Sequence, residues 1–369
     1  MARRLTEDRT SLPPDTHIET SNLRSDASYM GLLLDVAQQA GYEDYYLDKI
    51  LFYARNLIEQ KLPVIFDHHH LQILCGYRAE FLYAASNASE RFYRTFEIVK
   101  RTGGYRTISE PLTDLKAVQT WILNNILSKI PISDAAKAFR RGHSIKSGAR
   151  FHLRQPVVLR IDMRDFFPSL KTPFIHSVFR KIGYSKAVSG LLAGLVTFQG
   201  ALPQGAPTSP TLSNILFRPI DETLLQKAKL EGGRYSRYAD DLVFSGKLDV
   251  NEKLSTVRKL IEPLGLRINS TKTRVMHQWQ RQIVTGIIVN QKLSVERTWR
   301  RRIRQEVYFI TKYGLGAHVA FIKEVRANYL EHLLGKIEYC LFVNKNDSEM
   351  QDNRRAIIEY TRAGRVADD

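Results

Sequence analysis

Three carboxylates carry the chemical interest of this sequence. Asp162 closes the apolar run Val157-Val158-Leu159-Arg160-Ile161, and Asp240 and Asp241 stand side by side 78 residues further on. Acids brought together from neighbouring strands suit the addition of a nucleotide to a growing chain. In that reaction a 3′-hydroxyl attacks an α-phosphate and pyrophosphate leaves, so charge builds on the attacking oxygen, the phosphate and the leaving oxygen. Two magnesium ions about 4 Å apart stabilise all three. Magnesium takes oxygen ligands, usually one or two carboxylates with water and phosphate oxygens. An Asp-Asp pair in a turn is by itself most often a solvated turn, so its weight depends on the company it keeps.

The elements that must position these acids follow from periodicity. The run 157–162 is a buried strand with a carboxylate at its tip. Gly232-Gly233 opens a second strand pair over 235–245, with Tyr238-Ala239-Asp240-Asp241 as its turn and Leu242-Val243-Phe244 running back. Short strands are expected over 92–108, around the basic turn Lys100-Arg101-Thr102-Gly103-Gly104. Leu115, Val118, Ile122 and Ile126 mark a helix, and two more are expected over 28–60, on Leu32, Leu33, Val36, Ala40 and then Leu47, Ile50, Leu51, Ala54, Leu57. Helices alternating with strands through 157–290 indicate an α+β sheet domain. Towards the end, Trp299, Ile303, Val307 and Ile310 make an apolar helix face, and Arg297, Arg300, Arg301 and Arg304 a basic stripe on another. Residues 1 to about 25 read as a loose arm, the last twenty-odd as a charged, fraying tail, and His68-His69-His70 as loop residues.

The bulk numbers narrow the partners. A chain of 369 residues implies two or three lobes. Lys+Arg 55 against Asp+Glu 38 gives a net charge of +17, which favours a polyanionic partner, commonly nucleic acid. Arg140, Arg141, Lys146, Arg150 and Arg154 concentrate that charge just before Asp162. Two distant cysteines, Cys75 and Cys340, exclude a disulfide framework or cysteine-rich zinc site. No apolar signal segment opens the sequence and no 18 apolar residues run together, so a cytoplasmic protein is expected.

The neighbourhood of the acids resembles the reverse transcriptase family. Ile161-Asp162-Met163-Arg164-Asp165-Phe166-Phe167-Pro168-Ser169-Leu170 is similar to its first palm motif and Tyr238-Ala239-Asp240-Asp241 to its central one. Between them stands Gln204-Gly205-Ala206-Pro207-Thr208-Ser209-Pro210, and after them Gly265-Leu266-Arg267-Ile268-Asn269-Ser270-Thr271-Lys272-Thr273, in family order. Lys100 to Ile108 resembles the fingers motif. The resemblance, over roughly residues 60–345, implies an α+β right-hand polymerase fold. Its parts would be an N-terminal arm and helices at 1–60, fingers at 61–155, a palm at 156–290 with finger elements at 171–200, a helical thumb at 291–345 and a charged tail at 346–369. It also implies roles. Asp162 and Asp240 would be direct ligands of two magnesium ions, with Asp241 completing the site. Phe166, or else Phe167, would exclude a ribose 2′-hydroxyl. Gln204 and Gly205 would line the nucleotide and template pocket, Arg106 and Lys100 would hold the triphosphate, and Lys272 would face the leaving pyrophosphate or simply solvent. Arg297, Arg300, Arg301 and Arg304 could follow phosphates of an RNA–DNA hybrid.

Two further marks resemble retron reverse transcriptases: Val284-Thr285-Gly286, and Ala149 with His152 in the pattern Asn-Ala-x-x-His, where Gly148 replaces the Asn. That branch implies a cognate structured noncoding RNA as template and primer. DNA synthesis from dNTPs would start at an internal guanosine 2′-hydroxyl and give branched msDNA, and a toxic effector would act with the enzyme in anti-phage defence. Other readings are a non-retron bacterial enzyme, of group II intron-like or abortive-infection type, and a catalytically silent RNA-binding palm.

Overall fold

The computed structural model describes residues 30–35, 44–100 and 103–367. The expected arm, Val36 and Ala40 of the first expected helix, and Arg101 and Thr102 of the basic turn lie outside the described residues. Nine strands occur among those described: β1 (Tyr93–Val99), β2 (Tyr105–Pro111), β3 (Val157–Arg164), β4 (Arg234–Tyr238), β5 (Asp241–Gly246), β6 (Arg267–Ile268), β7 (Arg274–His277), β8 (Ile283–Val284) and β9 (Ile287–Ile288). The chain gathers into two compact units, each drawn from separated segments. One comprises Met1–Ser133, Met163–Glu222 and Val257–Ile268, the other Asp134–Asp162, Thr223–Thr256 and Asn269–Asp369.

The first unit is mainly helical. Helices His68–Cys75, Ala79–Asn87, Thr113–Asn125, Thr172–Ile182 and Lys186–Val196 bury Leu71, Leu82, Leu115, Ile122, Phe179 and Leu192. The β1–β2 hairpin pairs Tyr93 with Pro111 through Val99 with Tyr105. The end of β3 pairs with β6, Met163 with Ile268 and Arg164 with Arg267. The histidine run is not a loop: it begins helix His68–Cys75, because the Asp67 side chain caps it by accepting the His70 N–H at 2.8 Å.

The second unit is built on an antiparallel sheet. β5 pairs with β4 on one side and β3 on the other, and β3 pairs in turn with β7. Val158 and Val243 from this sheet share one apolar core with Ile303, Val307 and Ile310 of helix Arg297–Tyr313 and with Leu333, Ile337 and Cys340 of helix Tyr329–Val343. Met350 and Ile357 belong to the same core, so the fraying tail is corrected to a helix, Ser348–Ala367. Met350 and Ile357 lie seven residues apart, two turns along one face, and Tyr360 accepts the Leu315 N–H at 2.8 Å. Those anchors hold the helix despite its many charges.

Candidate active site

The register of the sheet brings the acids together. Tyr238 pairs with Asp241 across a two-residue turn, Ala239-Asp240. Ala239 has φ 56, the positive value that primed hairpin turns use to match strand twist. On the neighbouring strand Asp162 is the register partner of Asp241. Strand alternation then puts Asp162, Arg160, Asp241 and Val243 on one face of the sheet. Arg160 reaches Asp241 diagonally with two bonds, Nε to Oδ1 and Nη2 to Oδ2, each 2.9 Å. Asn269 donates its side-chain amide to Asp162 Oδ2 at 3.0 Å and its backbone N–H to the Asp162 carbonyl at 2.7 Å. Lys272 Nζ stands 3.6 Å from Asp162 Oδ1.

Electrostatics marks Asp240 as the acid with least support. Burial pushes its carboxyl up to about 6, and the negative Asp241 and Asp162 add to the rise against its own backbone hydrogen bond and Lys272. Asp241 is also raised by burial, with Arg160 pulling the other way. Carboxyl oxygens crowded together and partly dehydrated are the donor chemistry a hard divalent cation neutralises. Among the described residues, no three Asp, Glu, His or Cys side chains are grouped closely enough to hold an ion together. As placed, Asp241 is turned to Arg160 and Asp162 to Asn269 and Lys272. The donors fit magnesium in kind.

Several expected nucleotide-pocket residues lie in the first unit. The Gln204 carbonyl accepts the Ser109 N–H of β2 at 2.8 Å. Gly205 has φ 136, and a Cβ there would stand 2.8 Å from the Ser109 carbonyl oxygen, so only glycine fits against this strand. Arg106, on the same strand, is exposed, as is Lys100 beyond the end of β1. Phe166 is buried edge-on to Phe167 and against Phe217, while Phe167 is half-buried. Asp165 is exposed with φ 44 and opens the short turn of helix Phe166–Ser169.

The two retron-like marks meet in the second unit. Thr285 (φ 49) and Gly286 (φ 82) form the two-residue turn between β8 and β9, both with positive φ. A β-branched residue is strained there, and Thr285 Oγ1 donates to the Ile145 carbonyl at 3.0 Å. Ile145 starts helix Ile145–Phe151, which carries Ala149 and is followed by His152. His152 is fully buried, its Nδ1 2.7 Å from Ser245 Oγ on β5 and its Nε2 2.7 Å from Ser236 Oγ on β4. The imidazole thus ties together the two strands that the Ala239-Asp240 turn joins. At Gly148 a Cβ would make only ordinary contacts, 3.5 Å from Lys137 Cβ, so the backbone does not demand glycine.

Sequence reasoning missed Arg160, Asn269 and the serine pair around His152. Arg160 had a signal, as the single charge inside the otherwise apolar run 157–161. The basic stripe changes in meaning. Arg300 bonds Asp347 at 2.8 Å and Glu349 at 2.7 Å, and Arg304 bonds Glu349 at 2.7 Å. Among the described residues, Arg297 and Arg301 are the members of the stripe without an ion pair.

An antiparallel sheet that sets a strand carboxylate, Asp162, beside an acidic hairpin turn is the palm of a right-hand polymerase fold. Residues 98–306 match the family described as reverse transcriptase (RNA-dependent DNA polymerase), and the chain belongs to that family, on its retron branch. The retron Ec86 reverse transcriptase of Escherichia coli is 33% identical over 314 residues, covering 84% of this chain and 92% of that protein. The retron Mx65 enzyme of Myxococcus xanthus is 35% identical over 72% of this chain and 64% of its own length. The Mx162 enzyme of the same organism is 38% identical over 54% and 47%. The chain therefore spans about half to two thirds of the two Myxococcus relatives. Among solved structures, a Candida albicans telomerase aligns with a TM-score of 0.43 at 12% identity, covering 73% of this chain and 63% of its own.

Proposed function

We propose that this chain is an RNA-directed DNA polymerase that copies part of a cognate structured noncoding RNA into DNA. The observation that carries the reading is the strand register that sets Asp162 opposite Asp241, with Asp240 in the adjoining turn. Bound there, two magnesium ions would supply Lewis-acid activation of the attacking 3′-oxygen and neutralise the leaving pyrophosphate. Asp162 and Asp240 hold them and Asp241 completes the site. Arg160 fixes where Asp241 points, and Asn269 does the same for Asp162. Lys272, beside Asp162, is placed to meet pyrophosphate charge. Arg106 and Lys100 hold the triphosphate, Gln204 and Gly205 line the nucleotide pocket, and Phe166 bars a 2′-hydroxyl. Family membership on the retron branch supports the finer reading: priming from a guanosine 2′-hydroxyl, a branched msDNA product, and work beside a toxic effector in anti-phage defence. No helix among the described residues is long and apolar enough to cross a membrane, and we place the enzyme in the cytoplasm.

The test is primer extension on an RNA template with magnesium. Wild type is expected to extend the primer, to stop when the metal is chelated and to resume when magnesium is restored. The double variant Asp240→Asn, Asp241→Asn is expected to fall to background while still binding RNA. Extension by that variant overturns the metal-catalysed reading.

A further inference from the structure

The segment between β7 and β8 is not used by the site described above, and it presents an unusual surface. Trp279 is 81% exposed, whereas the other two tryptophans, Trp121 and Trp299, are half-buried. Its indole lies parallel to the His277 imidazole, with ring centroids 4.6 Å apart and planes 5° apart. A ring with one face against His277 and this much exposure has its other face open.

The turn that carries it is tightly held. Gln280 donates its N–H to the His277 carbonyl at 2.9 Å, and its side-chain oxygen accepts the His277 N–H at 3.0 Å. Asn290, across the turn, donates its amide to the carbonyls of Gln278 at 3.0 Å and Gln280 at 2.7 Å. Asn290 is itself fixed by accepting the Gln282 N–H at 2.9 Å. A large aromatic on a rigid turn loses little entropy when something stacks on it.

The charge around the turn selects the partner. From Asn269 to Val295 the sequence holds no Asp or Glu, and it holds Lys272, Arg274, Arg281 and Lys292. Arg281, two residues past Trp279, is paired with Glu296 and Lys272 with Asp162, which leaves Arg274 and Lys292 exposed and without an ion pair among the described residues. A flat open ring in an acid-free, basic segment matches the pattern by which single strands are bound: stacking for the base and cations for the phosphates.

We propose that the turn His277–Gln280 is a stacking platform for an unpaired base of an RNA strand, with Trp279 as its contact surface. The proposal rests on the reading of this chain as an RNA-binding polymerase and adds a specific contact to it. Base–aromatic stacking needs a free base face, so the platform discriminates single strands from blunt duplex and does so without reading sequence.

The experiment uses the full chain, a single-stranded oligoadenylate of about 15 nucleotides and a blunt RNA duplex. Adding the single strand is expected to quench tryptophan fluorescence in the wild type. Trp279→Ala is expected to bind the single strand about 5- to 150-fold more weakly, with the salt slope unchanged because no phosphate contact is lost. Trp279→Phe is expected to keep most of the affinity and lose the quench. Duplex affinity is expected to be the same in all three. Single-strand affinity of Trp279→Ala equal to wild type, or an equal loss for duplex, overturns the platform; the first result would fit a protein-docking face instead. Primer extension by the wild type reads the polymerase proposal separately. Extension together with an inert Trp279 sinks the platform alone, and no extension sinks the polymerase whatever Trp279 does.

Discussion

His152 shows how one residue can support an acidic turn without touching it. Its ring is enclosed between Ser236 and Ser245, and burial, with Arg234 and Lys137 adding to it, pushes its pKa down from 6.5 to about 3. The folded protein therefore keeps it neutral, while the unfolded chain protonates it below about 6.5. Because the folded pKa is the lower one, this residue's support is full above 6.5 and is lost as pH falls towards 3. Each pH unit in that window costs about 1.4 kcal/mol. Thermal unfolding of wild type is thus expected to lose roughly 2 kcal/mol between pH 6.5 and about 5 from this group alone. His152→Gln is expected to be less stable at neutral pH yet flatter across the window. Parallel curves for the two proteins would show that the imidazole is not held neutral. The residue types at this site were legible to different degrees. Asp162, Asp240 and Asp241 are visible in sequence because the motifs around them stand in family order. The partners of His152 and Arg160 depend on which residues face each other across β3, β4 and β5, and register is a property of the folded sheet.

The basic helix and the C-terminal helix are best understood as a pair. Helix Arg297–Tyr313 shows a clear apolar period in sequence, and its core face is as expected, with Ile303, Val307 and Ile310 buried. Its arginines looked equivalent. They are not, because Asp347 and Glu349, at the start of the C-terminal helix, take Arg300 and Arg304. A segment dense in charge resembles a fraying tail when its partners lie some 45 residues away in sequence, and that hidden pairing blurred both readings at once. The expectation for nucleic acid is correspondingly sharper. Arg297→Ala with Arg301→Ala is expected to weaken RNA binding and reduce the salt slope by about 1.4 to 1.8, the loss of two phosphate contacts. Arg300→Ala with Arg304→Ala is expected to lower the unfolding temperature instead, since it leaves Glu349 and Asp347 without their cations, and to change the slope little. Filter binding over a salt series separates the two. Equal slopes for wild type and the first variant would remove this helix from the RNA-binding surface.

At the scale of the whole chain, neither compact unit is continuous in sequence, and that is why the motifs could be read but their grouping could not. Asp162 and Met163 are chain neighbours assigned to different units. Local patterns of apolar residues do not report which distant segments share a core. One consequence is that the acidic hairpin and the far end of the chain are energetically linked. Val158 on β3 and Val243 on β5 lie in the same apolar core as Ile337, Met350 and Ile357. Removing helix Ser348–Ala367 therefore opens the core that supports the strands carrying Asp162 and Asp241, although it removes none of Asp162, Asp240 and Asp241 and no expected pocket residue. Truncating either Met350 or Ile357 to Ala is expected to cost about 2 to 5 kcal/mol. A chain ending at Asn344 also leaves Arg300 without its carboxylates, and it is expected to lose more than either point variant. Each kcal/mol corresponds to about 2 to 4 °C in a unit of this size, so Met350→Ala should melt some 4 to 20 °C below wild type. Primer extension should follow folding: near wild type at low temperature for Met350→Ala, and lost as it melts. If the truncated chain instead unfolds at the wild-type temperature and extends primers normally, the C-terminal helix does not support the core beneath the acidic hairpin, and the two are not energetically linked.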